Sequence, residues 1–349
     1  MEYKICLIGC GTVGQGLLEI LEEKNDELRN KLDFEPKIVA ICDKLKGSIL
    51  IPEGVNIKKL LHFLNQKKRI DEYLGGKHNE AEGKDPHEII EKCDADIVAE
   101  LTYTDIKTAE PATSYIRKAL RGGKHVVTSN KGPAALYYAE LKKLARKNDV
   151  FFRIEGTVMS GTPVFSLFEN GFAGDEVREI KGILNGTTNF ILSKMEEDNM
   201  DYGKALKLAQ SLGYAEADPT ADVEGYDALA KITILSNVLL EANIKPSDVK
   251  REGITSLTKK QIQAAKKQGY RYKLIASARK EDGKVHPAVS PRKLPLSDPL
   301  ARIMGANNAL CFDLDLLGKV TIQGPGAGKI ETGYSILVDM LAIHRRLFK

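Results

Sequence analysis

A chain of 349 residues, 42% hydrophobic and 29% charged with a net charge of only +4, reads as a globular protein of about two domains. Its lysines are interleaved with acids, as in EEKNDELRNK, so the charge describes solvated helix faces and implies no nucleic-acid partner. No apolar run reaches the ~18 residues of a membrane span, and the opening MEYKICLIGCG is a strand pattern rather than a signal peptide.

The elements follow in chain order. Residues 3–8, YKICLI, form a buried strand, followed by Gly9-Cys10-Gly11-Thr12-Val13-Gly14 and a helix to about Leu32. A second apolar strand, 37–42, ends at Asp43. Residues 44–93 read as two short amphipathic helices and an exposed loop, GGKHNEAEGKD. Strand 95–101, helix 109–121, strand 125–128, helix 134–147 and strand 151–154 complete an alternating series. Such alternation predicts an α/β fold with a doubly wound, Rossmann-type parallel sheet. Near residue 155 the pattern changes. A helix at SLFENGF, strand 179–184, helix 189–197 and a long helix 226–242 precede strands 271–278, 284–291, 310–317 and 319–323. That order predicts an α+β domain with a mixed sheet. A final helix, 331–347, follows the turn GPGAGK.

Gly9, Gly11 and Gly14 fit GxGxxG between a strand and a helix. The first glycine makes the turn, the second admits a pyrophosphate and the third lets helix pack on strand, which predicts a nicotinamide dinucleotide. Asp43 stands where an acid binds a ribose 2′-hydroxyl, as in NAD, while Lys44 and Lys46 could take the 2′-phosphate of NADP. The residues leave that choice open.

Five cysteines, Cys6, Cys10, Cys42, Cys93 and Cys311, form no CxxC pair. An odd, scattered set points to buried small hydrophobes in a reducing cytoplasm. The histidines lack zinc-site spacing.

Four further segments carry chemistry. Lys131, in TSNKG after the fourth strand, falls where doubly wound folds gather ligands, unless it is an ordinary loop lysine. Glu155 with the glycine-loosened carbonyls of GTVMSGTP suits a hard cation or a domain hinge. Asn185-Gly186-Thr187-Thr188-Asn189 links a strand to a helix, with Thr188 or Asn189 as the cap, and offers amides to a substrate carboxylate. Finally, Glu216, Asp218, Asp222, Glu224 and Asp227 crowd the approach to the apolar run ITILSNVLL. Asp227 and Lys231, four apart, share a helix face. An exposed pair of this kind contributes only ~0.3–0.5 kcal/mol, but the apolar run implies burial, so this is an acidic pocket rim with a held lysine.

Together these segments resemble the homoserine dehydrogenases. The pattern Ala209-x3-Gly213-Tyr-Ala-x2-Asp218-Pro219-x2-Asp222-Val-x-Gly225-x-Asp227-x3-Lys231 is similar to that family's signature, and GCGTVGQG, TSNKG, EGTVMSG, GILNGTTNFIL and GPGAGK stand in the family's order. The resemblance covers nearly the whole chain. It implies a dinucleotide-binding domain over 1–155, to which a helix at 326–349 returns, and a substrate-binding, catalytic and dimerisation domain over 156–325. It implies reversible reduction of L-aspartate-4-semialdehyde to L-homoserine, towards threonine, methionine and isoleucine. Lys231 and Lys131 would be the catalytic lysines, with Asp227 holding Lys231. Glu216, Asp227, Lys231, Asn185, Gly186 and Thr187 would bind substrate. NADP or NAD would lie on Gly9, Gly11, Thr12, Val13, Gly14, Asp43, Lys44, Thr102, Lys131 and Gly326. A sodium or potassium ion would be held by Glu155 and the carbonyls of Val158, Ser160 and Thr162. A homodimer would form through the 271–325 sheet. Little room is left for a kinase or ACT domain, so threonine feedback through one is not expected. The competing readings are another NAD(P)-dependent amino-acid oxidoreductase, which for semialdehyde oxidation would need a cysteine nucleophile, or a non-catalytic NAD(P) sensor.

Overall fold

The computed structural model describes residues 1–75, 79, 81 and 83–347, in two compact units, Met1–Pro163 with Gly328–Lys349 and Val164–Ala327. The first unit opens with β1 (Glu2–Ile8), α1 (Thr12–Glu23), α2 (Asn25–Leu32), β2 (Glu35–Asp43), β3 (Gly47–Leu50), α3 (Ile57–Asn65) and α4 (Pro86–Lys92). It continues with β4 (Ile97–Glu100), α5 (Ala112–Arg121), β5 (His125–Thr128), α6 (Lys131–Leu136), α7 (Tyr138–Lys147) and β6 (Phe152–Arg153). The second unit holds α8 (Phe165–Gly171), β7 (Val177–Ile183), α9 (Gly186–Glu197), α10 (Tyr202–Ser211), α11 (Thr220–Val223) and α12 (Tyr226–Leu239). It ends with β8 (Lys250–Arg251), α13 (Lys259–Lys267), β9 (Tyr270–Glu281), β10 (Lys284–Pro295), β11 (Asn307–Leu314) and β12 (Gly318–Pro325). The last helix, α14 (Lys329–Leu347), belongs to the first unit.

The first unit's sheet runs β3-β2-β1-β4-β5-β6, parallel throughout except for the antiparallel β2–β3 pair. Its central strands are buried on both faces, which is why they read as unbroken apolar runs. Ile5 and Leu7 share a core with Leu17 and Leu21 of α1 and Ile336, Met340 and Ile343 of α14. Helices α1 and α14 approach closely because two glycines permit it. A Cβ on Gly16 would lie 2.1 Å from the Lys329 carbonyl oxygen, and one on Gly333 would lie 2.5 Å from the Leu17 nitrogen. An ion pair buried on both sides completes the attachment: Arg153 Nε donates to Asp339 Oδ1 at 2.8 Å, and the Glu155 N–H donates to Asp339 Oδ2 at 2.7 Å. Burial pushes the Asp339 carboxyl up to about 7, against the pull of Arg153.

Several boundaries differ from the sequence reading. The first helix breaks at Lys24, which both closes α1 and opens α2. The 44–93 stretch contains a strand, β3, that the reading lacked. It exists because Asp43 accepts hydrogen bonds from the Leu45 and Lys46 amides, making a tight turn into a short edge strand. The helix expected from 134 begins at Lys131, capped by Asn130, and is interrupted at Tyr137. The expected exposed loop at 75–85 falls partly outside the described residues, and within it Asn79 and Ala81 are buried. All five cysteines are buried and unpaired. No helix among the described residues is long and apolar enough to cross a membrane.

The second unit's sheet runs β12-β11-β7-β9-β10-β8, antiparallel except for the β10–β8 pair. Helices α9, α12 and α13 pack on it, over a core that includes Ile183, Ile275, Leu294 and Leu300. Helix α12 is buried continuously from Ala228 to Ser236, as its apolar sequence requires. Helix α9 begins at Gly186, earlier than expected, because Asn185 supplies its cap. In β9, Lys273 is also buried. Its Nζ donates to Asn189 Oδ1 at 2.8 Å and to the Ile303 carbonyl at 2.5 Å. Burial pushes this ammonium down to about 8, opposed by Glu196 and reinforced by Arg271.

An unfolded lysine titrates near ~10.4. Between pH 8 and that value the unfolded chain therefore holds a proton that the fold has shed, and stability rises with pH. Thermal unfolding of Lys273→Met should lack this rise. Wild type should gain stability relative to the variant as pH goes from about 8 to 10, whereas a constant gap would mean that Lys273 stays charged in the fold.

Candidate active site

The glycine turn between β1 and α1 has the form a pyrophosphate needs. Gly9 adopts φ +97°, and a Cβ there would meet the Leu101 carbonyl oxygen at 2.6 Å; a Cβ on Gly14 would meet the Gly9 carbonyl oxygen at 2.8 Å. A Cβ on Gly11 would meet nothing within 4 Å, so the backbone is open to a ligand there. Gly11 is also the N-cap of α1 and provides no side-chain cap, leaving the Thr12, Val13 and Gly14 amides at the positive end of a helix. At the end of β2, Asp43 accepts from the Cys10, Leu45 and Lys46 amides at 2.8, 3.0 and 2.9 Å. Burial pushes the Asp43 carboxyl up, but the three amides and Lys46 outweigh that and hold it below the usual value. Lys44 is exposed; Lys46 lies 3.9 Å from Asp43.

The ends of β4 and β5 meet over a residue the sequence reading missed, Glu100. It is fully buried. Oε1 accepts from the Thr102 amide at 2.9 Å and from the Thr102 hydroxyl, and Oε2 lies 3.0 Å from the Thr128 hydroxyl. Burial pushes its carboxyl up to about 7, with Thr102, Thr128 and Asn130 pulling the other way. The signal was visible as an acid closing an apolar strand, IVAE. Asn130 carries this network onward. Its amide N–H donates to the Thr128 hydroxyl at 2.9 Å, and its side-chain oxygen accepts from Gly132 at 3.1 Å. Lys131 is therefore the first residue of a capped helix.

In the second unit the held lysine is real. Lys231 is 6% exposed, and its Nζ donates to Asp227 Oδ2 at 2.8 Å and to the Leu184 carbonyl at 2.7 Å. Asn185 binds both neighbouring carboxylates, donating from Nδ2 to Asp222 Oδ1 at 2.6 Å and to Asp227 Oδ2 at 3.0 Å. Its side-chain oxygen caps α9 through the Thr188 amide at 2.8 Å. Asp222 was among the acids noted in the sequence but not assigned to the site; burial, and next the charge of Asp227, raise its carboxyl above the usual value. Thr187 donates its hydroxyl to the Tyr214 carbonyl at 2.6 Å, and Gly186 and Thr187 are the first two residues of α9. Glu216 is exposed, and among the described residues no hydrogen bond joins its carboxylate to this cluster. Gly326 packs on Asn308, whose buried amide has no hydrogen-bond partner among the described residues; a Cβ at Gly326 would lie 2.3 Å from that side chain.

The loop after β6 holds the carbonyl-rich segment. Met159 and Ser160 both adopt left-handed conformations, φ 57° and 53°. Glu155 and Val158 are buried, and the Ser160 hydroxyl is engaged with that of Thr332 at 2.7 Å. Among the described residues no group of three or more His, Cys, Asp or Glu side chains forms a metal cluster.

A parallel sheet with an open glycine turn, and a buried lysine held by one carboxylate and a backbone carbonyl, suit an NAD(P)-dependent oxidoreductase. Residues 9–155 match the profile of the homoserine dehydrogenase NAD-binding domain, and residues 163–341 match that of homoserine dehydrogenase. An NAD(+)-dependent homoserine dehydrogenase of Pseudomonas canavaninivorans is 45% identical over 99% of this chain and 97% of its own. The homoserine dehydrogenase of Methanocaldococcus jannaschii is 39% identical over 97% of this chain and 98% of its own. A solved hyperthermophilic archaeal homoserine dehydrogenase mutant in complex with NADPH superposes with a TM-score of 0.83 at 30% identity, over 99% of this chain and 98% of that one. The chain belongs to the homoserine dehydrogenase family.

Proposed function

We propose that the chain interconverts L-aspartate-4-semialdehyde and L-homoserine with Lys231 as the group that moves the proton. The observation that carries this assignment is the place of Lys231: an amine in a buried helix, aimed by Asp227 and the Leu184 carbonyl. The bound nicotinamide supplies or takes the hydride. As the aldehyde is reduced, negative charge develops on its oxygen; Lys231 stabilises that charge and protonates it. In the reverse direction a neutral Lys231 takes the hydroxyl proton. Glu216 holds the substrate ammonium, and the Gly186 and Thr187 amides hold its carboxylate. Lys131 polarises the reacting oxygen or relays the proton, a role supported by the family resemblance and by its capped place at the start of α6.

Two observations support NAD as the preferred carrier: Asp43 is held as an anion beside the glycine turn, and a 45% identical relative is named for NAD. Lys44 is the group that would receive the 2′-phosphate of NADP. Glu155 and the carbonyls of Val158, Ser160 and Thr162 hold sodium or potassium. A homodimer forms through the second unit's sheet, whose edge strand β12 alternates exposed and half-buried residues. The unpaired, buried cysteines support a cytoplasmic location.

The deciding assay follows absorbance at 340 nm with L-homoserine and each carrier. Lys231→Ala should lower kcat by about 100-fold or more, and the wild-type rate should climb from about pH 7 to 10 because an amine must be neutral to accept the proton. A flat profile, or an active variant, would reject the lysine assignment. NADP outpacing NAD would overturn the carrier preference. Replacing sodium and potassium by tetramethylammonium should lower activity or melting temperature, and equal values in all three salts would remove the ion. Sedimentation should give twice the chain mass; monomers alone would sink the dimer.

A further inference from the structure

Glu100 is a buried carboxyl whose described partners are all uncharged. The Thr102 amide and hydroxyl meet Oε1, and the Thr128 hydroxyl is shared between the Glu100 carbonyl at 2.7 Å and Oε2 at 3.0 Å. A buried acid is costly to keep, and nothing in the sheet itself requires one: the β4–β5 ladder already pairs Glu100 with Thr128 through the backbone. What the carboxyl adds is a cross-link between the two loops that leave these strands. The Thr128 hydroxyl that reaches Glu100 also accepts from the Asn130 amide, and the Asn130 side chain reaches back to the Tyr103 carbonyl at 3.1 Å. Asn130 in turn caps α6. The start of α6 has no slack, since a Cβ on Gly132 would lie 2.4 Å from the Asp105 carbonyl oxygen.

We propose that Glu100 is a positioning residue for Lys131: its carboxyl ties the end of β4 to the end of β5 and so fixes the first residue of α6. The proposal rests on the reading of Lys131 as a catalytic lysine. The carboxyl touches no reacting atom; it sets where the amine stands. In the carboxylate form both oxygens accept, Oε2 sharing the one Thr128 hydroxyl proton with the Glu100 carbonyl, whereas a glutamine that keeps its oxygen on Thr102 turns an N–H towards the Thr128 oxygen and takes that shared bond away. Glu100→Gln therefore keeps the volume and disturbs the cross-link.

The test is a double-mutant cycle on the full chain, using Glu100→Gln, Lys131→Met and the pair, with kcat and KM for L-homoserine oxidation and a fluorescence titration of the reduced carrier. Glu100→Gln should lower kcat about tenfold while KM and the carrier Kd stay within about twofold. In the Lys131→Met background the same change should cost less than about twofold, because the residue it acts through is gone. A wild-type kcat in Glu100→Gln, or a pair whose loss is the product of the single losses, overturns the proposal. A wild-type kcat in Lys131→Met instead rejects the Lys131 reading, and the proposal falls with it. Should Glu100→Gln unfold at the assay temperature, Thr128→Val removes the shared hydroxyl and leaves the acid; it must show the same kcat loss and the same non-additivity with Lys131→Met, and a wild-type kcat there is equally fatal.

Discussion

One side-chain amide settles the charge arrangement of the second unit. Asn185 donates to both Asp222 and Asp227, and Asp227 in turn holds Lys231. The ion pair is mostly shielded, with side chains 8% and 16% exposed, so the few tenths of a kcal/mol of a surface pair does not describe it. Removing one partner of a buried pair costs about 3–5 kcal/mol. Two acids and one lysine would still leave an excess of negative charge, which the Asn185 donors and the raised Asp222 carboxyl both relieve. The same Asn185 caps α9 with its oxygen. A single residue thus couples the local fold to the orientation of the Lys231 amine.

The first unit solves the same problem with neutral donors. Asp43 and Glu100 both end sheet strands, and among the described residues the one ion pair to either is the long Lys46–Asp43 contact at 3.9 Å. Asp43 takes three backbone amides and stays an anion, whereas fully buried Glu100 takes hydroxyls and an amide and is pushed up to about 7. The difference is solvent: half-buried Asp43 keeps part of its hydration, and Glu100 keeps none. Asp43 ties down the glycine turn, and Glu100 ties together the loops that lead into α6.

Much of this was legible because particular residues admit few alternatives. A turn with φ +97° beneath the Leu101 carbonyl needs glycine, so Gly9 announced itself. Asp227 and Lys231 are four apart before an almost wholly apolar run, and a buried helix satisfies both facts. Strand β3 was not legible, because its turn is made by a hydrogen bond from the backbone to Asp43, a residue already claimed for ribose binding. The break at Lys24 was missed because it lies in a polar stretch without glycine or proline. Glu100 was missed for another reason: it visibly closes an apolar strand, but Thr128 and Asn130, which complete its surroundings, lie about thirty positions along the chain, and no local spacing encodes them.

The division of the chain bears on how it is made. The second unit is one continuous stretch, Val164–Ala327, and has all of its residues before the first unit has its last helix. On a ribosome the order of completion is therefore reversed relative to the order of translation: the N-terminal sheet waits, with Leu17 and Leu21 lacking their α14 neighbours, until the C-terminal residues emerge. The Arg153–Asp339 pair spans 186 positions and closes only then. Contacts of such sequence separation form late and slowly. The glycines at 16 and 333 therefore seat the helix that ends this vulnerable interval in the life of the nascent chain.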